Sequence, residues 1–159
     1  MSLVGTVLVC LVVGISDGDT LTGRCTLEGG QAETVKIRLA EIDAPEKGQA
    51  FGDRSKEHLS KLCFGRQAHV QVDTTDRYGR SIAHVQCDGR DAGAEQVRSG
   101  MAWVFDQYVR DTSLYRLQDT ARRNQEGLWR DASPVSPWAW RKAKRTGNAE
   151  GETVNGPGH

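Results

Sequence analysis

Two acidic clusters and two arginines are the residues of this chain whose types and spacing suit chemistry. Asp17-Gly18-Asp19-Thr20 and Asp43-Ala44-Pro45-Glu46 each gather carboxylates into one short segment. Oxygen donors of this kind suit a hard divalent cation such as Ca²⁺, and carboxylates alone equally admit Mg²⁺ or Mn²⁺. Arg38 precedes the second cluster, and Asp76-Arg77-Tyr78-Gly79-Arg80 supplies the other arginine, Arg80. A planar guanidinium matches the non-bridging oxygens of a phosphodiester bidentately and stabilises the charge that builds on them during hydrolysis. A carboxylate beyond those a cation needs can activate water. Each segment alone reads equally well as a polar turn, Asp-Gly-Asp above all. The chemistry rests on their combination.

These residues need a frame, and the first half of the chain reads as strands. Val7 to Ile15 is a continuous apolar run, Asp17-Gly18 is a hairpin signal, and Thr20 to Leu27 returns before Gly29-Gly30 turns the chain again. Thr34 to Ile42 alternates, with Val35, Ile37 and Leu39 on one face and Lys36 and Arg38 on the other. A Pro- and Gly-containing loop (Pro45, Gly48, Gly52) leads into a helix from about Asp53 to Phe64. Ala68 to Val72 and Ser81 to Gln86 read as strands joined by a turn at Asp76 to Gly79. Ala94, Val97 and Met101 suggest a short helix ended by Gly100. A longer helix is expected after Asp111 or Thr112, with Leu114, Leu117 and Ala121 as its buried stripe and Gly127 as its stop. Trp129, Pro137, Trp138 and Trp140 are expected to pin the chain end onto the body. The pattern predicts an α+β domain over 1–146, a five-stranded Greek-key barrel of the OB type with about three α-helices, and a flexible polar tail over 147–159.

At 159 residues the chain is the size of one domain, and its 37% hydrophobic and 26% charged content describe a folded protein. A formal net charge of zero argues against a protein that coats nucleic acid by charge alone, although basic residues outnumber acidic ones from Arg110 to Arg145. No apolar run reaches the roughly 20 residues of a spanning helix, so no membrane partner is expected. The four cysteines lack zinc-ligand spacing. Cys10 and Cys25 lie symmetrically about the Asp17-Gly18 turn, which suits one disulfide and leaves Cys63 and Cys87 for a second. Paired cysteines imply an oxidising compartment, periplasmic or secreted, with the chain as a mature form lacking its export signal. Buried free thiols in a cytosolic protein are the alternative. His58, His69 and His84 are scattered and read as packing residues rather than ligands.

The motifs together carry a resemblance. Asp17-Gly18-Asp19-Thr20, then Arg38-Leu39-Ala40-Glu41-Ile42-Asp43-Ala44-Pro45-Glu46, then Asp76-Arg77-Tyr78-Gly79-Arg80 resemble, in order and approximate spacing, the motifs of the staphylococcal nuclease (thermonuclease) family. Val97 to Ala102, Gly127-Leu128-Trp129 and Pro137-Trp138-Ala139-Trp140-Arg141 look like further segments of its bacterial secreted members, so the likeness spans roughly residues 3–142. It implies that Asp19 and Asp43 ligate Ca²⁺ with the backbone carbonyl of Ala44, and that Asp17 lies beside the metal behind its ligands. It implies that Glu46 positions or deprotonates the attacking water while Arg38 and Arg80 hold the phosphate and stabilise its transition state. Arg77, Tyr78 and Tyr108 would line the nucleotide groove. The implied activity is Ca²⁺-dependent hydrolysis of single-stranded DNA and RNA with little sequence specificity, breaking the 5′-O–P bond to leave 3′-phosphates. Where Ala44 stands the family usually has threonine, a small change if the contact is a carbonyl. Gly93 replaces a frequent asparagine and bears on local stability more than on chemistry. The alternative is an OB-fold module that binds single strands without cutting them. Nothing in the sequence demands more than a monomer.

Overall fold

The computed structural model describes residues 2–27 and 29–149, and in it alternating burial builds a closed sheet. In β1 (Val7–Asp17), Leu8, Cys10 and Val12 face the core, while Val7, Val9, Leu11 and Val13 stay exposed. A run that is apolar throughout is therefore buried on one face only, as the two-residue pleat dictates. β2 (Thr20–Thr26) returns antiparallel to β1, and β3 (Ala32–Leu39) returns antiparallel to β2 with Thr20 opposite Arg38. The predicted alternation of β3 holds: Val35, Ile37 and Leu39 are buried, and Lys36 and Arg38 face outward.

The remaining elements follow as β4 (Ile42–Asp43), α1 (Gly52–Cys63), β5 (Gln67–Thr75), β6 (Ser81–Cys87), β7 (Arg90–Asp91), α2 (Ala92–Arg98), β8 (Trp103–Val104), α3 (Leu114–Arg123) and α4 (Pro137–Ala149), with a 3₁₀ turn at Gly127–Arg130. The five long strands lie in the order β3-β2-β1-β5-β6, and β6 closes onto β3 in parallel. The fold is α+β, a five-stranded mixed barrel of the OB type with four helices. Closure leaves the long strands no free edge. Leu21, Ile37, Leu39, Val70 and Val85 fill the barrel, covered by Leu59 of α1 and Val97 of α2. Each such side chain contributes about 1.5–3 kcal/mol by leaving water.

Two helices depart from expectation. α3 ends at its cap Asn124 instead of running to Gly127. The chain after it is drawn towards α2, where the Leu128 amide donates to the Gly100 carbonyl at 2.8 Å, and Gly127 starts the 3₁₀ turn. The fourth helix, α4, was not expected. Its signal is local: Ser136 precedes Pro137, the Ser136 hydroxyl accepts from the Ala139 amide at 3.3 Å, and proline at the first helical position lacks only a donor that would be orphaned. α4 runs to Ala149, three residues into the stretch expected as a tail; 150–159 lie outside the described residues.

Both expected disulfides form. Cys10–Cys25 joins β1 to β2, and Cys63–Cys87 joins the end of α1 to the end of β6. They point to an oxidising compartment outside the cytoplasm. Among the described residues no helix is long and apolar enough to cross a membrane.

Candidate active site

The Asp17-Gly18 turn is held on the body by residues far along the chain. Gln96 of α2 is fully buried, and its Nε2 donates to the Gly18 carbonyl at 2.7 Å and to the Ser55 carbonyl at 3.1 Å. A Cβ on Gly18 would stand 1.8 Å from Ser55 Oγ, so only glycine lets this turn pack on α1. Within the turn Asp17 Oδ1 accepts the Asp19 amide at 3.0 Å. Asp19 is buried; its Oδ1 accepts the Thr20 hydroxyl at 3.0 Å and its Oδ2 accepts the Ala44 amide at 2.8 Å. That last bond carries the first acidic segment onto the second.

Arg38 stands between the two. Its Nη2 lies 3.4 Å from Asp19 Oδ2 and 3.2 Å from Asp43 Oδ1. Its Nη1 donates to the carbonyls of Leu39 and Ile42, at 2.5 and 2.8 Å, which fixes the plane of the guanidinium. Asp43 is only 1% exposed, yet it meets a second guanidinium, Arg141 of α4. Arg141 Nη1 donates to Asp43 Oδ1 at 3.1 Å and to Glu46 Oε2 at 2.8 Å, and its Nη2 donates to Asp43 Oδ2 at 2.7 Å. Glu46 lies on the loop between β4 and α1, where its amide donates to Gln49 Oε1 at 3.0 Å. A Cβ on Gly52 would fall 2.1 Å from the Glu46 carbonyl oxygen, so this loop closes over α1 only because residue 52 is glycine.

Burial, and next the charge of Asp19, push the Asp17 carboxyl up to about 7. Burial acts in the same direction on Asp19, but the Arg38 charge, followed by hydrogen bonds with Asp17, Ala44 and Thr20, outweighs it and holds Asp19 below the ordinary range. Below about pH 7 the shared proton is thus held on Asp17 while Asp19 stays charged, as adjacent buried acids require. Burial also raises Asp43, to about 6, against the hydrogen bonds of Arg141. At neutral pH Asp19 and Asp43 are two buried carboxylates converging on one cationic group.

Asp17, Asp19, Arg38, Asp43 and Ala44 are therefore brought together by direct contacts, and Glu46 joins them through Arg141. Arg80 is not in contact with them. Asp76 holds it, through Oδ2 to Arg80 Nε at 2.7 Å, while Asp76 Oδ1 accepts the amides of Tyr78 and Arg80 at 2.9 Å each. The β3–β6 register sets Arg38 opposite Ile82, so Arg80 lies two residues before that pair, about 7 Å of strand away. Tyr78 is exposed, with Arg77 over its ring at 5.0 Å and Arg80 at 5.6 Å. Tyr108, also exposed, packs edge-on against Phe105 at 4.8 Å, and the guanidinium carbons of Arg38 and Arg141 each lie 6.0 Å from the Phe105 ring centre. Among the described residues no group of three His, Cys, Asp or Glu side chains is gathered closely enough for a metal. The converging oxygen donors are the carboxylates of Asp19 and Asp43.

Sequence reasoning did not foresee Arg141, Phe105 or Gln96 at this site. Arg141 stood out only as one basic residue of a charged stretch and as the end of the Pro137 to Arg141 segment. Its signal was the Trp-Ala-Trp-Arg pattern, which places an arginine beside apolar anchors. Phe105 and Gln96 carry no comparable signal.

The family described as "Staphylococcal nuclease homologue" matches residues 36–131. An "Uncharacterized endonuclease" of Haemophilus influenzae is 43% identical over 136 residues, covering 86% of this chain and 74% of that protein. A second "Uncharacterized endonuclease", of Escherichia coli O157:H7, is 42% identical over 134 residues, covering 84% of each chain. The "Micrococcal nuclease" of Shigella flexneri is 37% identical over 145 residues, covering 84% of this chain and 80% of its own length. Each likeness spans the loop of Glu46, and the family match contains Arg38, Asp43, Glu46 and Arg80. The chain belongs to the staphylococcal nuclease family, whose members are phosphodiester hydrolases and typically calcium-dependent.

Proposed function

We propose that this protein hydrolyses single-stranded DNA and RNA with little sequence preference, cutting the 5′-O–P bond and leaving 3′-phosphates. The observation that carries the reading is Arg38, held in one orientation by two carbonyls between the buried carboxylates of Asp19 and Asp43. A guanidinium fixed in this way is preorganised for phosphate oxygens. The names of the relatives support endonucleolytic cutting, and Arg77, Tyr78 and Tyr108 offer exposed cationic and aromatic surface on which any base can stack.

Asp19 and Asp43 offer carboxylate oxygens, the ligand type a hard cation takes, beside the guanidinium groups of Arg38 and Arg141. Asp19, Asp43 and the Ala44 carbonyl would hold Ca²⁺, which supplies charge to polarise a phosphate oxygen. Glu46, less buried than the two aspartates, takes the proton of the attacking water. Arg38 on β3 and Arg80 in the turn before β6 bind the phosphate and stabilise charge on its non-bridging oxygens. Asp76 orients Arg80 for that task.

Digestion of heat-denatured DNA in Ca²⁺, in Mg²⁺ and in chelator, beside the Glu46→Gln protein, tests the proposal. Ca²⁺-dependent cleavage that collapses in the variant is expected. Binding without cleavage under every condition would replace it with a binding module. The disulfides favour a periplasmic or secreted location, and thiol titration of denatured, unreduced protein should find no free thiol.

A further inference from the structure

Among the described residues of the C-terminal helix, Arg141 is the charged group with a tight set of partners in the site. Its guanidinium bridges Asp43 and Glu46, two like charges three residues apart, with three hydrogen bonds of 2.7 to 3.1 Å. The helix that carries it is firmly seated. Trp138 stacks flat on Phe105 at 5.3 Å, and Gln49 Nε2 donates to the Val135 carbonyl at 2.8 Å while the same side chain accepts the Glu46 amide. The Glu46 loop is thus joined twice to this part of the chain, through Gln49 to Val135 just before α4 and through Arg141 of α4 to the Glu46 carboxylate.

We propose that Arg141 is a positioning residue for the nuclease reaction, fixing the Glu46 carboxylate at a set distance from Asp43 and making α4 part of the active site. The inference rests on the nuclease reading and on Glu46 as the group that takes the proton. Without Arg141 the Glu46 side chain, on a loop and about one-third exposed, has several rotamers open to it. With Arg141 in place, Oε2 is occupied and Oε1 has no protein partner among the described residues, so one oxygen stays available to water. A general base must lie within hydrogen-bond reach of the proton it removes, and a displacement of about 1 Å can cost on the order of 100-fold in rate. The fork of an arginine is required, because a lysine ammonium cannot hold both Asp43 oxygens and Glu46 in one plane.

The test uses the whole chain as wild type, Arg141→Ala, Arg141→Lys and Glu46→Gln on denatured DNA, with thermal melts of each. Arg141→Ala should lower kcat about 10- to 100-fold with KM within a few-fold of wild type. Arg141→Lys should melt near wild type and still lose kcat. Guanidinium ion, added well below denaturing concentrations, should restore part of the Arg141→Ala rate and none of the Glu46→Gln rate. Wild-type kcat in either Arg141 variant overturns the proposal. So does a loss of kcat that follows the melting temperature and does not respond to guanidinium, since that marks a purely structural role. Failure of the wild type to cut would instead overturn the nuclease reading on which the proposal stands.

Discussion

The amide of Ala44 donates to Asp19 Oδ2 at 2.8 Å, joining two acidic segments that lie 25 residues apart in the chain. The bond couples the first hairpin to the loop after β4 and sets the spacing between the oxygens that the two segments offer.

Asp19→Ala removes the acceptor of that amide and of the Thr20 hydroxyl, leaving buried donors unpaired. The expected loss is about 1–3 kcal/mol in urea denaturation. Asp19→Asn keeps an acceptor and should lose less. In both variants the proposed role of Asp19 predicts that more Ca²⁺ is needed for half-maximal cleavage, read from a metal titration of rate.

Arg38 and Glu46 should separate stability from turnover. Arg38→Ala takes a cation from two buried carboxylates and should lower both stability and kcat, the latter by orders of magnitude. Glu46 is far more exposed than Asp43, so Glu46→Gln should change stability by at most about 1 kcal/mol while kcat collapses. Paired melting curves and single-turnover rates decide it. Wild-type turnover in both variants would remove these residues from the mechanism.

Gly52 offers a test at one remove from the chemistry. Its added Cβ would meet the Glu46 carbonyl oxygen at 2.1 Å, a backbone atom that can yield only by shifting the loop. Gly52→Ala should therefore reduce kcat about tenfold or more, although alanine favours the helix that begins there. A variant that is more stable and fully active would show that the loop adapts freely.

His84 should make the segment carrying Tyr108 sensitive to pH. Its Nε2 lies 2.6 Å from Glu41 Oε2 and its Nδ1 3.2 Å from Asp73 Oδ2. Glu41 Oε1 in turn accepts the amides of Arg110 and Asp111, at 2.6 and 2.7 Å. Burial lowers the His84 pKa, but the Glu41 hydrogen bond and then the Asp73 charge outweigh it and raise it above the ordinary 6.5. Glu41 is pulled below its ordinary 4.5, against burial, by the Asp111 amide, His84 and the Arg110 amide. The histidine's contribution is complete below 6.5 and is lost as pH rises through its folded-state value; the glutamate's is present above 4.5 and is lost as pH falls through its own. The melting temperature should therefore decline more steeply in wild type than in His84→Gln as pH rises above about 6.5 and through the folded-state value of His84. Protection of the 105–113 amides, corrected for the intrinsic rise of exchange with pH, should fall as pH rises more in wild type than in His84→Gln. Equal slopes would rule out this pair as the source.

Local pattern was enough for much of this protein. The alternation from Thr34 to Ile42 set which face of β3 carries Arg38, because side chains on a strand point to opposite faces with a period of two. The Asp17-Gly18 turn between Cys10 and Cys25 set both a hairpin and a disulfide, since a tight turn brings symmetric positions side by side. The motif order revealed the family, and with it a barrel that no single segment specifies. Tertiary structure decided the rest. α3 stops early because Leu128 reaches the Gly100 carbonyl, a bond between residues 28 apart that no local propensity contains. Arg141 meets Glu46 across 95 residues, and it does so only because Trp138 finds Phe105 and thereby seats α4. Sequence pattern reports which groups are present and which way a strand or turn presents them; which distant side chain completes a carboxylate's hydrogen bonds depends on how the closed barrel and its helices pack.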